Sequence, residues 1–131
     1  MYATALKTGE LLVAAEFPLP KPGYVSAFGE LARRHGDYAI TGIAVHGSTQ
    51  GGKFSDTRAV FFGVGDRPVL AAHFARALEG QAANAKTIES ALPKLDADLA
   101  PRADLYSSAA TKLHLSKVLA GRVLKQLGSV E

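Results

Sequence analysis

The sequence predicts an α+β fold, a small antiparallel sheet of three or four strands packed in two layers with about three helices, because its apolar residues change period midway. In the first half, two apolar runs rich in β-branched and aromatic residues, 40–46 and 57–63, flank the glycine-rich connection Gly47-Ser-Thr-Gln-Gly-Gly52. In the second half Leu115, Leu119, Val123 and Leu127 recur every four residues, and Ile88, Leu92, Leu95 and Leu99 form another stripe. The 131 residues read as a single domain, 1–131, long enough to bury a core.

Leu11-Leu-Val-Ala-Ala-Glu-Phe17 reads as a strand, bounded by Gly9 and Pro18. Pro18, Pro20 and Pro22 then form a stiff, extended link, since proline fixes φ and lacks an N–H. Residues 26–35 suit a helix, with Ala27, Leu31 and Arg34 on one face, or a strand entering a turn at Gly36; periodicity does not separate the two. Residues 40–46 are a strand, in which Gly42 marks a bulge or the close approach of another backbone. Residues 47–52 form a hairpin loop rather than a phosphate cradle, because neither a Gly-Lys-Ser/Thr ending nor a helix follows. Residues 57–63 pair back across that loop. Gly63-Val-Gly65 followed by Asp66-Arg67-Pro68 is a turn, with Arg67 pairing to its neighbour Asp66.

The helices follow. Residues 70–78 form the first, stopped at Gly80. Residues 86–99 form the second, kinked or restarted at Pro93. After a loop at 100–104, Ser107 or Ser108 caps the last helix and Gly128 ends it.

Composition excludes several functions. The net charge of +3 comes from scattered lysines and arginines, not the basic stripe with interleaved aromatics that nucleic-acid binding needs. With no cysteine there is no disulfide, thiolate zinc site or iron–sulfur ligation in this chain. His35, His46, His73 and His114 lack metal-ligand spacing, so no metal site is expected. No Gly-x-Ser-x-Gly elbow is present, and Ser107, Ser108 and Ser116 fit helix starts or helix surface. Asp96 and Asp98 diverge on a helix and are no acid–base pair. No apolar run is long enough to span a bilayer, and the N-terminus lacks a signal peptide's basic start and apolar core, so the expected location is cytoplasmic, away from membranes.

What remains is the stretch from Phe28 to Val45. Arg33, Arg34 and Asp37 fall within five positions, with Gly36 allowing a sharp turn and Tyr38 adding an aromatic face. Spacing alone is equally met by a solvated connection with an internal ion pair. However, Glu30-Leu-Ala-Arg-Arg-His-Gly-Asp-Tyr-Ala-Ile-Thr-Gly-Ile-Ala-Val45 resembles the motif opening the C-terminal domain of the FAD-binding medium subunit of molybdenum hydroxylases, the family of carbon monoxide dehydrogenase and xanthine dehydrogenase. Residues 11–20 are similar to the strand and proline-rich link before it. Phe62-Gly-Val-Gly-Asp-Arg-Pro-Val-Leu-Ala71 resembles the glycine turn after its sheet, and Asp104-Leu-Tyr-Ser-Ser108 with residues 113–127 resembles its last helix.

The resemblance implies that residues 24–32 are a strand. It implies a domain that shields FAD and shapes the electron-acceptor site of an oxidoreductase, inactive alone, with Arg33, Arg34, Asp37 and Tyr38 near the flavin ring. Its partners would be the FAD-binding N-terminal half, which lies outside this sequence and carries the pyrophosphate loops, and the iron–sulfur and molybdenum-binding subunits. The family often has lysine or another bulky residue where this chain has Gly29. The alternative is a non-catalytic interaction or assembly module from a truncated or split relative. In either case Phe17, Tyr24 and Phe28 are expected at an interdomain surface.

Overall fold

A computed structural model describes residues 4–127. Strands β1 (Val25–Leu31), β2 (Thr41–Ser48), β3 (Ser55–Phe62) and β4 (Val69–Leu70) form one antiparallel sheet in the order β1-β2-β3-β4. Helices α1 (Ala72–Leu78), α2 (Ala85–Ala91), α3 (Leu95–Asp98) and α4 (Ala109–Leu124) follow, with a 3-10 turn (Leu92–Lys94) between α2 and α3. Helix α4 packs on β1 and β2, and α1 on β3, so the helices cover one face of the sheet.

Period-two alternation builds the core. Ala27, Ile43, Val45, Ala59 and Phe61 point inward and meet Phe74, Leu78, Leu119, Val123 and Leu124. Gly29 is also inward, and a Cβ there would stand 2.6 Å from Val123 Cγ2, so its lack of a side chain lets α4 lie close to the sheet. Leu119, Val123 and Leu127 of the four-residue stripe are buried and Leu115 is half-buried.

Helix ends are satisfied as expected at α4, where Ser108 accepts from the Thr111 N–H, and at Gly80, whose φ of +71° follows the last turn of α1. At its other end α1 has only Ala71 as a cap. Asp98 of α3 caps it instead, accepting from the His73 N–H (3.0 Å), the Phe74 N–H (2.8 Å) and the His73 ring (2.7 Å). Burial would push the Asp98 carboxyl up, but those donors outweigh it and hold it below the ordinary range. Asp98 thus stabilises the fold above the unfolded carboxylate range, and that contribution is lost as pH falls through its depressed folded value.

Several expectations are corrected. Residues 11–17 are exposed and form no strand of this sheet. Gly42 marks neither a bulge nor a backbone crossing. The Phe62 ring lies across it, in the space a Cβ would take, and the register irregularity falls between His46 and Ser48. The helix expected over 70–78 begins only at Ala72, and residues 69–70 instead pair with β3 as a strand too short to show alternation in the sequence. Asp66 pairs with Arg102 at 3.4 Å, not with Arg67. Ser116 is fully buried: its hydroxyl donates to the Lys112 carbonyl, so it accepts from Thr41 Oγ1 at 2.7 Å. As expected, Pro93 interrupts the helix, which restarts through the 3-10 turn. Gly128 lies outside the described residues.

Two buried threonines give a paired test. Thr41 has its partner, while Thr57 Oγ1 is buried without one. Thr41→Val is expected to cost about 1–2 kcal/mol, and Thr57→Val to be neutral or stabilising, by thermal and denaturant unfolding. Equal losses at both sites would show that packing, not hydrogen bonding, sets the cost.

Candidate functional site

The connection 32–40 between β1 and β2 folds back on itself. Gly36 takes φ of +80° and the Asp37 N–H donates to the Arg34 carbonyl at 3.2 Å. The Ile40 N–H donates to the Leu31 carbonyl at 2.7 Å and closes the loop's base. Gly63, at φ +75°, lets the chain leaving β3 pass this base, since a Cβ would meet the Ala39 and Ile40 carbonyl oxygens at 2.9 Å.

The turn sends the adjacent arginines to different hollows. Arg33 ion-pairs with Asp37 at 3.5 Å, and its guanidinium lies 3.7 Å over the Tyr106 ring. Asp37 also accepts from the Tyr38 N–H at 3.1 Å. Arg33, Asp37 and Tyr38 therefore come together in a hollow of about 280 Å³, joined by Ile40, Leu105 and Tyr106. Arg34 instead lines a smaller hollow with Glu30, Ala32, His35 and Gly36.

Tyr106 was missed as a site residue, because the Asp104–Ser108 segment reads only as a helix start. The available signal was Asp104, whose spacing suits a carboxylate that caps its own turn. It accepts from the Tyr106 and Ser107 N–H groups at 2.9 and 2.8 Å, and from Lys112 Nζ at 2.6 Å. Lys112 is almost buried and also reaches the Gly63 carbonyl at 3.5 Å. The Lys112 hydrogen bond and charge, with the Tyr106 N–H, bring the half-exposed Asp104 carboxyl down to about 2.

Among the described residues no helix covers the outer face of the sheet. Phe28 (58% exposed) stacks on Phe62 with ring centres 5.7 Å apart, beside exposed Ala44 and Leu70 and half-buried Val60. A hollow of about 490 Å³ runs along it, with Ser26, His46 and Arg58 at its polar end. Phe17 is exposed and Tyr24 half-buried, so the three aromatics singled out from the sequence all remain accessible.

As a fit test for a flavin, the site supplies exposed rings at Tyr38 and Tyr106 and a guanidinium held between a carboxylate and a ring. That chemistry fits a flat heteroaromatic ring that gains negative charge. Among the described residues nothing cradles a pyrophosphate. After Gly47–Gly52 the chain enters β3, not a helix. Nor do the described histidines and acids form a group able to hold a metal. No described helix is long and apolar enough to cross a membrane.

Residues 26–127 match the model of the family described as "CO dehydrogenase flavoprotein C-terminal domain". The chain is 30% identical over 125 residues to the carbon monoxide dehydrogenase medium chain of Afipia carboxidovorans, covering 95% of this chain and 43% of that protein. It is 25% identical to the glyceraldehyde dehydrogenase medium chain of Sulfolobus acidocaldarius, covering 96% and 44%. Among solved structures, quinoline 2-oxidoreductase from Pseudomonas putida 86 superposes with a TM-score of 0.75 at 31% identity, covering 83% of this chain and 38% of that one. Carbon monoxide dehydrogenase from Hydrogenophaga pseudoflava gives 0.79 at 27% identity, covering 84% and 38%. The chain thus spans less than half the length of these relatives.

The Asp104 carboxyl gives a pH test. Its folded value lies below the unfolded one of about 4, so its contribution is complete above about pH 4 and disappears as pH falls through about 2. A carbon-13 NMR titration should place its midpoint near 2, and Lys112→Met should raise it. A wild-type midpoint near 4 would mean that Lys112 does not hold this loop.

Proposed function

This chain belongs to the CO dehydrogenase flavoprotein C-terminal domain family, and on that premise we propose that it is the C-terminal domain of the flavoprotein subunit of a molybdenum hydroxylase. In that role it shields the flavin and shapes the electron-acceptor site, with the outer sheet face against the FAD-binding N-terminal half. FAD bound by that half supplies two-electron chemistry between iron–sulfur clusters and an external acceptor. The iron–sulfur and molybdenum-binding subunits of the same enzyme are the further proposed partners.

One observation carries the reading: Arg33 is ion-paired to Asp37 and lies over the Tyr106 ring in an open hollow lined by exposed aromatic residues. A guanidinium held in place before the reaction stabilises developing negative charge without reorganising. Arg33 is that fixed charge, Asp37 and Tyr106 position it, and Tyr38 offers a ring to pack against the flavin or its domain. Arg34, on the other side of the turn, contributes a more distant and more screened charge. Gly29 takes no part, because it faces α4. An assembly module without flavin contact would use the same uncovered sheet face but would have no use for the clamp on Arg33.

Two measurements test the reading. Flavin titration of the isolated chain, by fluorescence or calorimetry, is expected to show weak binding or none; tight stoichiometric binding would mean that the domain is misassigned. In the FAD-loaded subunit, Arg33→Gln removes a positive charge and uncovers Asp37. It is expected to destabilise the reduced flavin by about 1–2 kcal/mol, or roughly 20–40 mV for a two-electron couple. Arg34→Gln should do less, and neither should greatly move the melting temperature. Large losses of melting temperature with unmoved potentials would make the loop structural only.

A further inference from the structure

We infer that Lys112 and Asp104 are positioning residues for Arg33, which they hold in place through Tyr106. What Arg33 acts on rests on the flavoprotein reading; the positioning itself is read from this chain. Residues 99–108 lie outside every helix and strand. Tyr106 is 63% exposed there, so burial does not fix its ring. Its neighbour Leu105 is 87% exposed and gives no anchor either. The exposed ion pair between Arg102 and Asp66 adds little. The ring is therefore placed by its backbone, and that backbone is placed by Asp104.

The two oxygens of the Asp104 carboxylate divide the work. Oδ1 accepts from the Tyr106 and Ser107 N–H groups at 2.9 and 2.8 Å and closes the turn. Oδ2 accepts from Lys112 Nζ at 2.6 Å. The Lys112 side chain is 10% exposed, so its ammonium needs acceptors from the protein. Its second acceptor is the Gly63 carbonyl at 3.5 Å, and Gly63 lies against Ala39 and Ile40 at the base of the Arg33 loop. One ammonium thus fixes the Tyr106 turn relative to the loop that carries Arg33. The guanidinium then sits 3.7 Å over the ring. Its other contact, the i,i+4 pair with Asp37 at 3.5 Å, is partly exposed and holds it weakly. The ring platform, and through it Lys112 and Asp104, decides where the charge points.

Two readouts test this, one of them without flavin. In the isolated chain, the Tyr106 ring current should shift the Arg33 side-chain methylene protons upfield in NMR spectra. Lys112→Met and Asp104→Asn are each expected to remove most of that shift, as Tyr106→Leu does. Asp104→Asn guards against a Lys112→Met chain that does not fold. It changes a half-exposed side chain, and an amide there loses either Lys112 or the backbone N–H groups. In the FAD-loaded subunit, Asp104→Asn removes a negative charge, so a direct electrostatic effect would raise the flavin potential. Lost positioning lowers it instead, in the direction of Arg33→Gln and by about half as much or more. In an Arg33→Gln background the same substitution should no longer lower it.

An undiminished ring-current shift in Lys112→Met and Asp104→Asn would overturn the inference. So would a raised potential in Asp104→Asn, or a fall that persists unchanged without Arg33. A lost ring-current shift together with a flavin potential indifferent to Arg33→Gln would support the positioning while removing the flavin-site reading, so the two fail separately.

Discussion

The buried ammonium of Lys112 fixes the geometry on which the candidate site depends. It rises from the first turn of α4 and meets the Asp104 carboxylate and the Gly63 carbonyl. A nearly buried cation must be paired, and here the pairing joins the last helix, the loop before it and the end of β3. Asp104, held there, accepts from the Tyr106 and Ser107 amides and sets where the Tyr106 ring lies. That ring receives Arg33, which is otherwise a half-exposed side chain on a loop. The position of a surface guanidinium thus traces back to a desolvated charge on another element.

The sheet relates the two surfaces in a different way. Inward residues meet the helices, while outward residues include large apolar groups normally found inside proteins. Phe62 folds over Gly42 and supports Phe28, so part of the outer face is packed before any partner arrives. The proline link lies at the same side. The apolar face and the link are both accessible in a chain that spans less than half the length of its relatives.

Much of this was legible in the sequence. The β-branched and aromatic runs gave β2 and β3, the glycine-rich loop gave their hairpin, and the leucine repeat gave α4. What was illegible depended on contacts across long separations. Residues 11–17 carry strand composition, but a strand needs a ladder partner and the described residues provide none. Ser116 looks like helix surface until Thr41, distant in sequence, is brought beside it. Arg33 and Arg34 look like one cluster. Their separation is decided by the backbone turn at Gly36, which adjacency in sequence does not encode. Tyr106 was hidden because its position is set by Asp104 and Lys112, not by its own neighbours.

The cap that Asp98 places on α1 has a consequence for how the chain is made. As the ribosome extends the polypeptide, the seven residues of α1 emerge with only Ala71 at their head, too short a helix to persist on local bonds. Their cap arrives only when residue 98 has left the exit tunnel, and α4, which packs on β1 and β2, arrives later still. Until then the inner face of the sheet is as bare as the outer one. Synthesis therefore passes through an interval in which both faces of a hairpin are open to water, and the domain becomes two-layered only once α4 has emerged.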